Sequence, residues 1–276
     1  MKYLKLVTLF FAIFLLGISN HSLGQNLEEL KQRLSKETDR EKIETYLDIS
    51  ELGISQDTVL FYLGEAMEVS EKIGFDSIYN IQFAVCVSYY VRGDFERAKT
   101  EIRKGFDSYM FTDYPNASLG QINMLLGVFC EYTNDIDSSK YYYDMAMQSL
   151  INDTSTKAKE TLSAVYTNYG NLHLKYGEFH KAIPIYLNSV KNSKELDDFL
   201  NESVALSNVG ACYLEMKEYE KALGYYIEAL QVAKKAKRAV TIGGVLSNLG
   251  EIYMLLEEYE KAIGNFIKAE NVLKEV

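Results

Sequence analysis

Three segments of this chain align without a gap at a spacing of 40 residues: NYGNLHLKYGEFHKAIPIYLNSV from Asn168, NVGACYLEMKEYEKALGYYIEAL from Asn208 and NLGEIYMLLEEYEKAIGNFIKAE from Asn248. Gly170, Gly210 and Gly250 fall in register, as do the aromatics Phe179, Tyr219 and Tyr259, the alanines Ala182, Ala222 and Ala262, and the rings of Tyr186, Tyr226 and Phe266. A period of this length is the mark of a stacked repeat, because one such unit cannot bury its own apolar faces and closes a core only against its neighbours.

Each unit decodes as two helices. Leu206, Val209, Gly210, Tyr213 and Leu214 recur at helical spacing, Lys217-Glu218 make a short polar turn, and Ala222, Leu223, Tyr226, Ala229 and Leu230 form the apolar stripe of a second helix. Small residues at the Gly and Ala positions let paired helices approach closely, and the aromatics fill the space between pairs. Weaker copies continue upstream. Gly127, Cys130, Ile136, Ser139, Tyr143 and Ala146 repeat the pattern with serine at the first alanine position; Cys86, Tyr89, Gly93, Phe95 and Ala98 give another, and Leu47, Ser50, Val59, Leu63 and Ala66 the faintest. Leu27, Leu30 and Leu34 make a stripe at i, i+3 and i+7, as a capping helix would.

The Gly…Tyr…Gly-x-Tyr/Phe-x-x-Ala…Tyr/Phe-x-x-Ala order resembles the tetratricopeptide repeat (TPR), in its longer-unit, 40-residue form. The resemblance implies an all-α, right-handed α-solenoid of about six helix-turn-helix TPR units. The expected organisation is a signal peptide over 1–24, a capping helix over 25–40, degenerate units 1–3 over 41–155 and well-formed units 4–6 over 156–276. Pro184 stands inside a second helix, where the missing N–H predicts a bend.

The N-terminus reads as a secretory signal. Lys2 and Lys5 precede a 13-residue apolar stretch from Leu6 to Ile18, and Ser22 and Gly24 supply small residues before a cut at Gln25. The stretch is shorter than the ~20 residues that span a bilayer. Export to the periplasm or the medium is the expectation; an uncleaved N-terminal anchor is the alternative. The full chain has 29 Lys+Arg and 39 Asp+Glu, a net charge of −10. Losing Lys2 and Lys5 with the signal leaves 27 basic against 39 acidic residues, a net of −12. That balance opposes nucleic-acid binding, whose affinity comes mainly from cations on phosphate.

No catalytic constellation stands out. The three cysteines, Cys86, Cys130 and Cys212, fall at or beside packing positions of first helices, and His173 takes the place of a first-helix aromatic. His180 has no Cys or Asp at metal spacing, and there is no phosphate-binding glycine loop. The chain is therefore expected to be no enzyme, with no cofactor and no metal.

The TPR resemblance implies instead a concave groove lined by first helices. Its binding residues are expected at Asn168, Asn171 and Lys175, at Asn208 and Asn248, and upstream at Phe83 and Tyr90. Asparagines repeated at 168, 208 and 248 can offer donor and acceptor to the backbone of an extended peptide whatever its side chains. Lys175 is the one basic residue among those groove positions, so a neutral, apolar or basic polypeptide fits better than an acidic tail. The expected function is an exported interaction scaffold; the alternative is the extracytoplasmic sensor portion of a longer membrane-bound signalling regulator, with a histidine kinase or DNA-binding output. The last helix carries Ile263, Phe266, Ile267 and Leu273 with no capping helix after it, which points to self-association through that helix or to a continuation of the chain beyond Val276.

Overall fold

The computed structural model describes residues 20–52, 54–74, 78–107 and 115–274. Of the expected signal segment, only the last five residues fall inside this range. The described residues form thirteen α-helices, a single 3-10 turn at Gly105–Asp107, and no strand. The helices are α1 (Asn20–Leu34), α2 (Asp39–Ser50), α3 (Gln56–Ile73), α4 (Tyr79–Val91), α5 (Phe95–Lys104), α6 (Pro115–Tyr132), α7 (Ile136–Leu150), α8 (Thr156–Lys175), α9 (Phe179–Glu195), α10 (Phe199–Glu215), α11 (Tyr219–Ala236), α12 (Ala239–Leu255) and α13 (Tyr259–Lys274). The protein is all-α, and from α2 onward the helices fall into six consecutive pairs.

The chain divides into two compact units, 1–142 and 143–276. In the first, Ile43, Ile49, Val59, Leu63, Ala66 and Ile81 form a closed core, and Leu27, Leu30 and Leu34 of α1 pack on it. Helix α2 opens with a reciprocal cap: Thr38 accepts from the Glu41 amide, and the Glu41 carboxylate accepts from the Thr38 amide. Further along, the serine that replaces the repeat's alanine is fully buried, and the Ser139 hydroxyl donates to the Gly127 carbonyl at 2.8 Å. The polar substitution is thus tolerated because its hydroxyl has a partner inside the pair.

In the second unit the repeat is regular. Helix α8 packs on α9, α10 on α11 and α12 on α13, while α9 meets α10 and α11 meets α12. Gly170, Gly210 and Gly250 explain the close contact within each pair. A Cβ on Gly170 would lie 2.5 Å from the Tyr186 ring; on Gly210, 2.9 Å from Tyr226; on Gly250, 2.5 Å from Phe266. The glycine in each first helix is the seat for the aromatic in the second. Between pairs, Val190, Ala205, Leu206, Tyr226, Val232, Val245, Leu249 and Ile252 form a continuous apolar core. Pro184 lies within α9 on its exposed side, and the helix runs through it to Glu195.

The turns repeat as faithfully as the helices. Gly177, Lys217 and Glu257 all take a left-handed backbone, with φ of 72°, 60° and 61°. Each closes its first helix with the same pair of bonds; at the middle one, the Lys217 amide donates to Leu214 O at 2.9 Å and the Glu218 amide to Tyr213 O at 2.9 Å. Gly93 and Asn134 hold the same place in the first unit.

Candidate functional site

The face to consider is built by α8, α10 and α12, the first helices of the last three pairs. A spacing of 40 residues brings equivalent side chains onto neighbouring helices, and the amides of this face are linked across the pairs. The Asn208 carboxamide donates to Asn171 Oδ1 at 3.3 Å, and Asn248 donates to Ser207 Oγ at 3.0 Å. Asn171 Oδ1 also accepts from the Tyr186 hydroxyl at 2.7 Å. Asn208 and Asn248 therefore each reach back to the first helix of the preceding pair.

These bonds separate residues that look alike in the sequence. Asn208 is only 4% exposed and spends a donor on Asn171, so its place is inside the contact between repeats. Asn248 is half-buried and uses its amide nitrogen on Ser207, with no protein partner for its carbonyl oxygen. Asn171 is half-buried with its carbonyl occupied twice and its NH2 open. Asn168 is half-buried with no protein partner for either end of its carboxamide.

Around these amides the surface is mixed. Lys175 is exposed at the end of α8, its ammonium 5.7 Å from the Tyr176 ring centroid. Glu215 is exposed at the corresponding end of α10, and Glu251 is exposed on α12 at the repeat position of Asn171. Gly244 is exposed, and no atom would lie within 4 Å of a Cβ there. Met254 and Leu255 stand out at 52% and 46% exposure. The face thus offers amide groups, an apolar end and two carboxylates against one ammonium.

The expected upstream residues lie in the first compact unit. Phe83 is half-buried, its ring 6.0 Å from that of Tyr79. Tyr90 sits in an aromatic cluster with Phe95, Phe129 and Tyr132, and its hydroxyl lies 3.2 Å from that of Tyr132. Tyr90 is half-buried, with its ring packed among these aromatics.

The nucleophile and metal candidates have structural employment. Cys86, Cys130 and Cys212 are 0%, 1% and 0% exposed. Burial pushes all three thiols up, Cys212 to about 12, away from the thiolate that a nucleophile needs. His173 is 5% exposed, lies against Tyr169 with ring centroids 4.7 Å apart and the rings tilted by 43°, and places Nδ1 2.5 Å from Glu178 Oε2. That bond ties the last turn of α8 to the start of α9, a role that spacing alone does not reveal. Among the described residues no group of three or more His, Cys, Asp or Glu is arranged to hold a metal, and no helix is long and apolar enough to cross a membrane.

Two linked helix pairs with a glycine seat, a following aromatic and in-register alanines coincide with a known family pattern. Residues 160–235 match the tetratricopeptide repeat family. The match takes in the pairs α8–α9 and α10–α11, apart from the first four residues of α8 and Ala236 at the end of α11. No curated protein matches the chain by sequence at a significant level. Solved structures share the fold over nearly its whole length. Aspartyl phosphate phosphatase F from Bacillus subtilis is 14% identical, over 94% of this chain and 76% of that one, with a TM-score of 0.66. BtubC (BKLC) from P. vanneervenii is 14% identical over 89% of this chain and 91% of that one, with a TM-score of 0.62. The apo form of the quorum sensor NprR from B. thuringiensis is 15% identical over 99% and 86%, with a TM-score of 0.61. At such identities the likeness is one of fold alone.

Proposed function

We propose that the protein is an exported, non-enzymatic interaction protein that holds an extended segment of another polypeptide along α8, α10 and α12. The observation that carries this reading is the set of amide groups left over after the repeats have bonded to one another: both ends of Asn168, the NH2 of Asn171 and the carbonyl of Asn248. Donors and acceptors spaced across adjacent helices match the alternating N–H and C=O of an extended backbone. Met254 and Leu255 supply an apolar contact at one end, and Glu215 and Glu251 favour a segment that is neutral, apolar or basic. Export rests on Lys2, Lys5 and the apolar run to Ile18.

The amide roles can be separated by mutation. Asn168→Ala combined with Asn248→Ala is expected to weaken binding to hits from a mixed-sequence peptide array by about tenfold, roughly 1.4 kcal/mol, with helicity unchanged. Asn208→Ala is expected instead to lower the melting temperature, because it removes the buried bond that links α10 to Asn171 of α8. Equal peptide binding by the double variant and the parent would remove the amide-groove reading. N-terminal sequencing of protein recovered from the extracytoplasmic fraction should begin at Gln25; a protein retained in the cytoplasm with Met1 intact would overturn export.

A further inference from the structure

The second helices of the last three pairs carry a pattern that the groove does not use. Leu187, Ile227 and Ile267 occupy the same repeat position on α9, α11 and α13, and all are exposed, at 39%, 40% and 52%. Leu187 and Ile227 belong to helices packed against neighbours on both sides, α9 by α8 and α10, α11 by α10 and α12. Their exposure is therefore not an effect of the chain's last pair. The Lys194 ammonium lies 3.5 Å from Glu228, which ties α9 to α11 directly and brings the first two rungs onto one side.

Seven residues advance a helix by nearly two turns, so positions seven apart share a stripe. Seven residues after the aliphatic row stand Lys194, Lys234 and Lys274, all exposed. Seven before it stand His180, Glu220 and Glu260, also exposed. The aliphatic row is thus midway between an acidic edge on α11 and α13 and a basic edge on all three helices, each about 10 Å away along the helix at 1.5 Å per residue. Gly224 and Gly264 flank the row, and no atom would lie within 4 Å of a Cβ at either, so the surface beside the aliphatics is low.

A face with its apolar row central and opposite charges equidistant on either side is complementary to itself. Turning a second copy about an axis along the row sets aliphatic against aliphatic and each acidic edge against a basic one. We propose that this second-helix face is a self-association surface, on which two copies pair with α9, α11 and α13 antiparallel to their counterparts. Glu220 of one copy then faces Lys234 of the other, and Glu260 faces Lys274. An anionic lipid surface would meet the lysines but be repelled by Glu220 and Glu260, so the two-signed face favours a polypeptide, and its symmetry favours a second copy. The contact is separate from the amides of α8, α10 and α12 and stands whether or not those bind a peptide.

The test is the mass in solution of residues 25–276 over a concentration series, by light scattering. A concentration-dependent dimer is expected, and Ile227→Asp should make it monomeric with an unchanged helical circular dichroism signal. Lys234→Glu alone and Glu220→Lys alone should each raise the dissociation constant at least tenfold. Mixing these two variants in equal amounts should restore the dimer as a heterodimer, since every facing pair is then opposite in sign. A parent that stays monomeric at all concentrations overturns the proposal. So does a dimer that survives Ile227→Asp but is lost in Tyr259→Asp, which would place the contact on the end face of α13.

Discussion

Single backbone angles carry much of what distinguishes one repeat from the next. Gly177 occupies its left-handed turn position without strain, whereas Lys217 and Glu257 hold the same φ with a Cβ, at a cost of about 1 kcal/mol each. Lys217→Gly is therefore expected to stabilise the protein by about 0.5–1 kcal/mol and Gly177→Ala to destabilise it by a similar amount. Urea unfolding of the three proteins side by side checks both signs. A second residue-scale expectation concerns the glycine seats. The Tyr226 ring is 1% exposed and lies where a side chain on Gly210 would have to go. Gly210→Leu should cost at least about 3 kcal/mol through overpacking, read as a fall in melting temperature; a melting curve like the parent's would mean the helices can part there without loss.

At the scale of the element, the helices divide their labour by position in the pair. First helices carry the glycine seats and the linked amides, and second helices carry the fully buried rings of Tyr186 and Tyr226. The last second helix departs from this pattern in a graded way. Ala262 and Ala269 stay buried at 1% and 3%, but Phe266 is 39% exposed where Tyr186 and Tyr226 are closed, and Ile263 reaches 58%. The inner face of α13 packs like its counterparts, while its outer face has no following first helix over it among the described residues. Ile263→Lys is expected to raise solubility with a change in stability within about 0.5 kcal/mol, measured by concentration at precipitation and by urea midpoint. A large loss of stability would show that this face is already used within the chain.

For the whole molecule, charge and surface chemistry act together. The face proposed to bind peptide carries the exposed carboxylates of Glu215 and Glu251 in a chain of net charge −10, and on that reading it disfavours acidic segments. Lys- or Arg-containing peptides of an array should be enriched among binders, and their affinity should fall as salt rises from 50 to about 500 mM, where screening shortens the reach of these charges. Binding dominated by acidic peptides would reverse this assignment and place the main contact on the lysine edges of the second helices.

The repeat, its 40-residue period and the helix pairs were legible in the sequence; the seating of each aromatic on the glycine of its own pair was not, since the spacing places those rings between pairs. The legible features are set by short-range spacing: apolar residues at helical intervals, a turn between them, and small residues wherever two backbones must meet. The roles of the asparagines were not legible. Asn168, Asn208 and Asn248 are equivalent in register, yet one is free, one is sealed between repeats and one is half spent on Ser207. The fates of Asn208 and Asn248 depend on which residue the preceding pair presents at bonding distance, Asn171 in one case and Ser207 in the other, and no local pattern encodes that. The His173–Glu178 tie and the exposure of Leu187 and Ile227 were hidden for the same reason. Periodicity specifies which positions must be apolar, small or turning, while the contacts made once the pairs have stacked decide which polar groups remain for a partner.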